Sequence, residues 1–241
     1  TGALTCPFGT GHMGVTAENV AAEGGITRAD QDAFALESQT RAARAIAEGR
    51  FADQVAPMEI ASRKGPVTFA TDEHPKATTA EALAGLRPAF QKDGSVTAGN
   101  ASGINDGAAA LVLARGDALG GLVPRARIMG YAIAGVAPRV MGLGPIPAVQ
   151  QLCAKLGIKP TDFDVVESNE AFAAQAIAVN RALGLDTARV NPNGGAVALG
   201  HPVGATGAII TTKALYELER TGGKTALITM CIGGGQGIAL A

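Results

Sequence analysis

After Asp106 the chain alternates short, nearly uninterrupted apolar runs with stretches of helical periodicity, and glycine-rich segments stand where one gives way to the other. Strand-length runs fall at 108–114 and 126–134, the end of another at 165–167, and a last one at 225–230 that leads Cys231 into a loop. Helical patterns fill 146–156, 171–183 and 208–218. Apolar strands alternating with helices bury a sheet on both faces, so this part is α/β. The residues before it read differently. From 16 to 49 the spacing is helical, with Ala17, Val20 and Ala21 on one face, then Phe34, Ala35, Ala42, Ile46 and Ala47 along a long amphipathic helix started at Asp30. Residues 50–104 mix short extended pieces (55–60, 67–69) with glycine, proline and charge, an excursion and not a second regular domain. No tandem repeat is visible.

Composition narrows the function classes. With 47% hydrophobic and 17% charged residues the chain has the makings of a packed core, which excludes a disordered tail. The net charge is −1 and the 20 basic residues are scattered, so no nucleic-acid partner is expected. No apolar run approaches the ~18 residues of a membrane span, and no basic-then-apolar leader opens the sequence. A cytoplasmic protein with a small partner follows. The three cysteines have no metal-ligand spacing, so free thiols and no metal are expected. The chain starts at Thr1 with neither a helix cap nor a strand signal, which suggests a missing upstream segment.

Glycine is the outlier, 33 of 241 residues against a usual ~7%. Two runs concentrate it: 191–207, which contains His201, and 231–237, which opens with Cys231. An imidazole near pH 6.5 can take a proton from a thiol and return it within one cycle. Capping a helix that begins near Gly204 is the structural alternative for His201, but the density of glycine and alanine around it favours backbone approach to a ligand. Cys231 ends an apolar strand beside free backbone donors, a setting for a reactive thiol. A small core residue is its alternative, and no Lys-Ser/Thr follows as a phosphate loop requires. Cys153 has core spacing with Val149, Leu152 and Leu156. Cys6 is the rival nucleophile, yet Pro7 after it has no N–H to offer an oxyanion. Asn169 stands at a strand-to-helix junction, where an amide can hold a water or a carbonyl oxygen, cap the helix, or both.

Asn169-Glu-Ala-Phe-Ala-Ala-Gln175, Asn193-Gly-Gly-Ala-Val-Ala-Leu-Gly-His-Pro-Val-Gly-Ala-Thr-Gly207 and Cys231-Ile-Gly-Gly-Gly-Gln-Gly237 resemble the three carboxy-terminal signatures of thiolases. Supporting likenesses are His12-Met-Gly-Val-Thr-Ala-Glu-Asn-Val20, Leu86-Arg-Pro-Ala-Phe90, the stretch around Ser102, and Met141-Gly-Leu-Gly-Pro-Ile-Pro147. The resemblance implies the thiolase fold: two similar βαβαβαββ halves in five α-β-α-β-α layers, with an inserted loop domain. Residues 1–104 would be most of that CoA-covering loop domain, 105–124 the last elements of the amino-terminal half, and 125–241 the carboxy-terminal half. Most of the first half would be absent, leaving a large apolar face uncovered.

The implied activity is Claisen condensation of two acetyl-CoA to acetoacetyl-CoA and CoA, or the reverse thiolysis, through a cysteine acyl-enzyme. By the resemblance His201 activates the nucleophile, Cys231 handles the α-proton, and Asn169 (through water) and His201 hold one thioester oxygen. The N–H of Gly233 helps to hold a second. Leu4, His12, Met13, Phe90 and Ser102 match the CoA and pantetheine path, and Met141 and Phe172 the acyl pocket. Lys76 stands near where the family commonly has an arginine. CoA thioesters are substrates, no cofactor is implied, and a homo-oligomer, dimer or tetramer, is expected. The family's nucleophilic cysteine motif is not found in this sequence, and Cys6 aligns with a position without a catalytic role. A degradative 3-ketoacyl-CoA thiolase of longer chains, and a non-catalytic thiolase-like CoA-binding subunit, are the alternatives.

Overall fold

The structure is a computed structural model, and it describes residues 2–241. Two helices come first, α1 (Met13–Glu23) and α2 (Arg28–Ala47). Thr27 and Asp30 form a reciprocal capping box at the start of α2, so the helix begins at the threonine cap and not at Asp30. Its buried face is Gln31, Asp32, Ala35, Ser38, Ala42 and Ala45, while Ile46 is exposed. The 3.6-residue period expected there is present, but half of the face it buries is polar. A small antiparallel hairpin follows, β1 (Met58–Ile60) with β2 (Val67–Phe69), then a short α3 (Ala80–Ala84).

The main sheet has four strands in the order β3 (Tyr131–Gly135), β6 (Gln236–Leu240), β5 (Ala226–Ile232) and β4 (Val165–Ser168). Only β4 and β5 are parallel, and β6 is antiparallel to both of its neighbours. Beyond β4 the chain at Val190 adds a parallel bridge to Val166. On one face pack α4 (Pro145–Leu156) and α5 (Ala173–Leu183), around a core that includes Ala132, Leu152, Phe163, Val179 and Leu227. On the other lies α7 (Thr206–Thr221), after the single turn α6 (Ala196–Leu199). A buried ion pair pins α7 to the sheet: Lys213 Nζ lies 2.8 Å from Glu167 Oε2 of β4 and donates to Gly194 O at 2.7 Å. Beyond α7 that face is open, and Tyr131 and Ile133 of β3 are more than half exposed.

One expected strand does not form, and another is shorter than its apolar run. Residues 108–114 make no ladder and are exposed, Val112 at 97%, and 126–130 are likewise outside the sheet, which begins at Tyr131. A β-strand exists only by pairing, and among the described residues no strand pairs with 108–114, whereas Met129 and Gly130 bond only to Ala241, just past β6. Leu111, Val112, Leu113, Leu122 and Val123 are left exposed. Among the described residues, no helix is long and apolar enough to cross a membrane.

Candidate active site

Strands β4 and β5 run parallel with Ser168 opposite Thr229, so Asn169, just past β4, and Cys231, near the last residue of β5, lie toward the same carboxyl end of the sheet. The carboxyl ends of parallel strands are where open α/β sheets form ligand crevices. Asn169 is held by its own N–H, which donates to Thr229 O at 2.9 Å. Its side chain is not a helix cap, because α5 starts four residues later, at Ala173, with Phe172 at the cap position. The amide instead points at a histidine: Asn169 Nδ2 is 3.3 Å from His201 Nε2, while Oδ1 is buried with no protein partner.

His201 reaches this position along a loop that only glycines can follow. Gly194, at φ +82°, lies tight against Ser38 O and Ala42 of α2, and Gly200, at φ +92°, against the Asn105 side chain. The His201 N–H donates to Gly103 O (3.3 Å) and Asn105 Oδ1 (3.2 Å). On the ring's far side, Nδ1 is 2.6 Å from Thr206 Oγ1, and that hydroxyl donates to Pro202 O at 3.0 Å. With its proton committed to Pro202, the hydroxyl is left to accept from His201. Nδ1 therefore carries the proton and Nε2 the lone pair, toward which the Asn169 amide N–H is directed. Burial pushes the His201 pKa down, keeping the ring neutral. It caps no helix, since Ala205 occupies the cap of α7.

Cys231 differs from its expected place in a loop. It is inside β5, paired with Gly237 of β6, and only 6% exposed. The glycines that suggested an open loop instead make the β5–β6 turn, with Gly234 and Gly235 at φ near +90°. Packing partners come from elsewhere in the chain: Met13, Val96, Met141, Ala171, Phe172 and Cys6 share its apolar cluster. Burial pushes the Cys231 thiol up to about 12. Gly233 is exposed at the start of the turn, beside the Met13 methyl.

Aromatic rings lead away from this cluster. Phe172 meets Phe90 edge-on with centroids 6.0 Å apart, and Phe90 stacks on His12 at 4.9 Å. The Phe90 ring lies flat on Gly14, where a Cβ would overlap it. Ser102 ties in through its hydroxyl, which donates to Ala171 O at 3.0 Å, next to the bridge between Ala101 and Phe172. Met13 and Met141 complete the wall. Leu4 lies half-buried in a 3-10 turn beside the Thr5–His12 bridge. Lys76 is not drawn in: its side chain is exposed, and its backbone N–H is held by Gln39 Oε1. Sequence reasoning missed Thr206, Asn105 and Glu170. Thr206 had a readable signal, a hydroxyl in the first turn of the helix that follows the histidine; Asn105 did not, because only tertiary contact brings it to Gly200. Among the described residues no group of three His, Cys, Asp or Glu could hold a metal ion.

Two family models match the chain, "Thiolase, N-terminal domain" over residues 1–117 and "Thiolase, C-terminal domain" over 122–241. The chain belongs to the thiolase family. The beta-ketothiolase BktB of Cupriavidus necator is 58% identical over 242 residues, covering 99% of this chain and 61% of that protein. Among solved structures, the acetyl-CoA acetyltransferase of Bacillus anthracis superposes with a TM-score of 0.96 at 51% identity, over 98% of this chain and 61% of that one. Human mitochondrial 3-ketoacyl-CoA thiolase in complex with CoA gives 0.90 at 44%, over 98% and 60%. The fold is the thiolase fold, and the chain spans about three-fifths of the length of these relatives.

Proposed function

We propose that these residues form the oxyanion-binding and proton-transfer side of a thiolase site. The reaction is condensation of two acetyl-CoA to acetoacetyl-CoA and CoA, or its reverse, through an acyl-enzyme on a cysteine outside these 241 residues. The observation that carries this reading is the Asn169–His201 pair, 3.3 Å apart at the strand end that also delivers Cys231. In the first half, His201 Nε2 takes the proton of the nucleophilic thiol, the thiolate attacks the thioester carbon, and the CoA sulfur leaves with that proton. The imidazolium N–H and the Asn169 amide, through a water, stabilise the oxygen on which charge develops. In the second half, Cys231, its proton taken up by the neutral His201, removes an α-proton from acetyl-CoA as thiolate, and the carbanion attacks the acyl carbon, expelling the nucleophilic cysteine, which recovers its proton from the imidazolium. A thiol near 12 is a strong base once ionised, matched to a weakly acidic carbon, and a ready acid in the cleavage direction. The Gly233 N–H shares a second oxyanion hole with the nucleophile's own N–H.

CoA thioesters are the substrates and no further cofactor takes part. Their pantetheine lies along His12, Met13, Phe90 and Ser102, with Leu4 and Lys76 at the outer end and Met141 and Phe172 around the acyl group. The protein works as a cytoplasmic homo-oligomer, dimer or tetramer. Thiolysis of acetoacetyl-CoA by the protein expressed from its own gene tests the reading. His201→Ala is expected to lower the rate by about 10²–10⁴-fold. Absence of CoA-dependent thiolysis in the unsubstituted protein, with acyl-CoA still bound, would instead mark a non-catalytic CoA-binding subunit. Likeness to human mitochondrial 3-ketoacyl-CoA thiolase, at 44% identity, supports a second reading, a degradative thiolase acting on longer 3-ketoacyl-CoA. Relative kcat/KM for acetoacetyl-CoA and longer homologues separates the two.

A further inference from the structure

We propose that Glu170 is a positioning residue, a buried carboxylate that fixes the His201 loop against the strand end bearing Asn169 and so sets the separation of the two side chains. The proposal rests on the reading of His201 as the site's base. Glu170 follows Asn169 directly in sequence and is 2% exposed. It accepts three hydrogen bonds, from Ser38 Oγ (2.7 Å), Asn191 Nδ2 (2.8 Å) and Val197 N (3.2 Å). Those donors belong to α2, to the start of the glycine-rich loop and to α6. From Val197 only the rest of one helical turn and Gly200 separate the clamp from His201.

Every feature around the carboxylate serves the same joint. Gly195 sits directly over it, where any Cβ would overlap, and its N–H donates to Ser38 Oγ at 3.1 Å. Asn191, held at φ +45°, also grips Ser168, donating to its carbonyl at 2.8 Å and accepting from its N–H at 2.9 Å. Three donors converge where only a carboxylate has acceptors enough; a glutamine would turn one N–H toward the Asn191 amide. Burial pushes Glu170 up, while these donors and the Lys213 ammonium pull the other way. The carboxylate thus holds two segments of the site at once without facing the crevice.

The test reads the imidazole itself, by 15N NMR of the three histidines, with His201 assigned from His201→Gln. Glu170→Ala is expected to reduce the Nδ1–H tautomer and to move the His201 titration toward the ordinary ~6.5. Glu170→Gln and Ser38→Ala should do the same to a smaller extent. A carboxylate with a merely structural role lowers the melting temperature and leaves the His201 signals in place, and that result overturns the proposal. It is overturned equally if Leu152→Ala, which loosens the core away from the loop, moves those signals as far. Should Glu170→Ala not fold, Ser38→Ala decides by the same criterion. No acyl transfer is needed for this readout, so an inactive chain with a displaced His201 would sink the enzymatic reading alone.

Discussion

His201 Nδ1 and the Thr206 hydroxyl lie 2.6 Å apart, and the hydroxyl's own proton goes to the Pro202 carbonyl. A chain of two hydrogen bonds therefore fixes which ring nitrogen is basic, a task that a carboxylate performs in many catalytic triads. Thr206→Val should remove that bias and populate the Nε2–H tautomer, and Thr206→Ser should restore the wild-type pattern. Long-range 1H–15N correlation spectra check both, and unchanged ring nitrogen shifts in Thr206→Val would contradict the assignment.

Cys231 should be a poor target for alkylation. A thiol buried to 6% exposure and held near 12 offers little thiolate at pH 8. Iodoacetamide followed by peptide mass mapping is expected to label Cys231 many-fold more slowly than the same cysteine in urea. Labelling at the rate of the unfolded chain would show that the thiol is neither buried nor raised.

The Lys213–Glu167 pair gives a prediction for stability. Lys213→Met strands a carboxylate with no exposed surface and should cost about 3–5 kcal/mol in urea unfolding, and adding Glu167→Gln should recover a large part. Burial raises the Glu167 pKa to about 6 in the folded chain from 4.5. A raised carboxyl contributes stability that is fully present below the unfolded value and lost as pH rises through about 6. Glu167→Gln should therefore flatten the fall in unfolding free energy between pH 4.5 and about 6. His201, with its pKa lowered, acts in the opposite sense: its contribution is lost as pH falls through its folded value.

Two glycines of the last motif should answer differently to the same change. A Cβ on Gly237 would overlap the backbone of Gly144 and Pro145, where the start of α4 closes on β6. A Cβ on Gly233 meets only the Met13 methyl, at an ordinary 3.4 Å, with no left-handed φ to strain. Gly237→Ala is expected to lower the thermal midpoint by many degrees and Gly233→Ala by few. Equal shifts would mean that the two glycines are not packed as differently as the structure has them.

Much of the order of elements was readable in the residues, and so was the His201 loop as a candidate site. Helical period marked α2, α4 and α5; apolar strand runs marked β4 and β5; glycine density marked the His201 loop. These signals are local, because a helix or a half-buried strand writes its own period. Cys231 misled for the same reason. Its neighbours are three glycines, and the methionines and phenylalanine that bury it come from residues 13, 141 and 172. The run at 108–114 misled in the opposite sense: it has strand composition, but strand structure needs a partner.

The sequence alone determined the family, the α/β grammar and the set of candidate site residues, since motif and periodicity depend on neighbours along the chain. The tertiary structure decided the tautomer of His201, the burial of Cys231 and the grip of Glu170 on the loop. Those depend on contacts between residues far apart in the chain, Ser38 and Glu170 at 132 positions and Met13 and Cys231 farther still, and a one-dimensional pattern does not contain them.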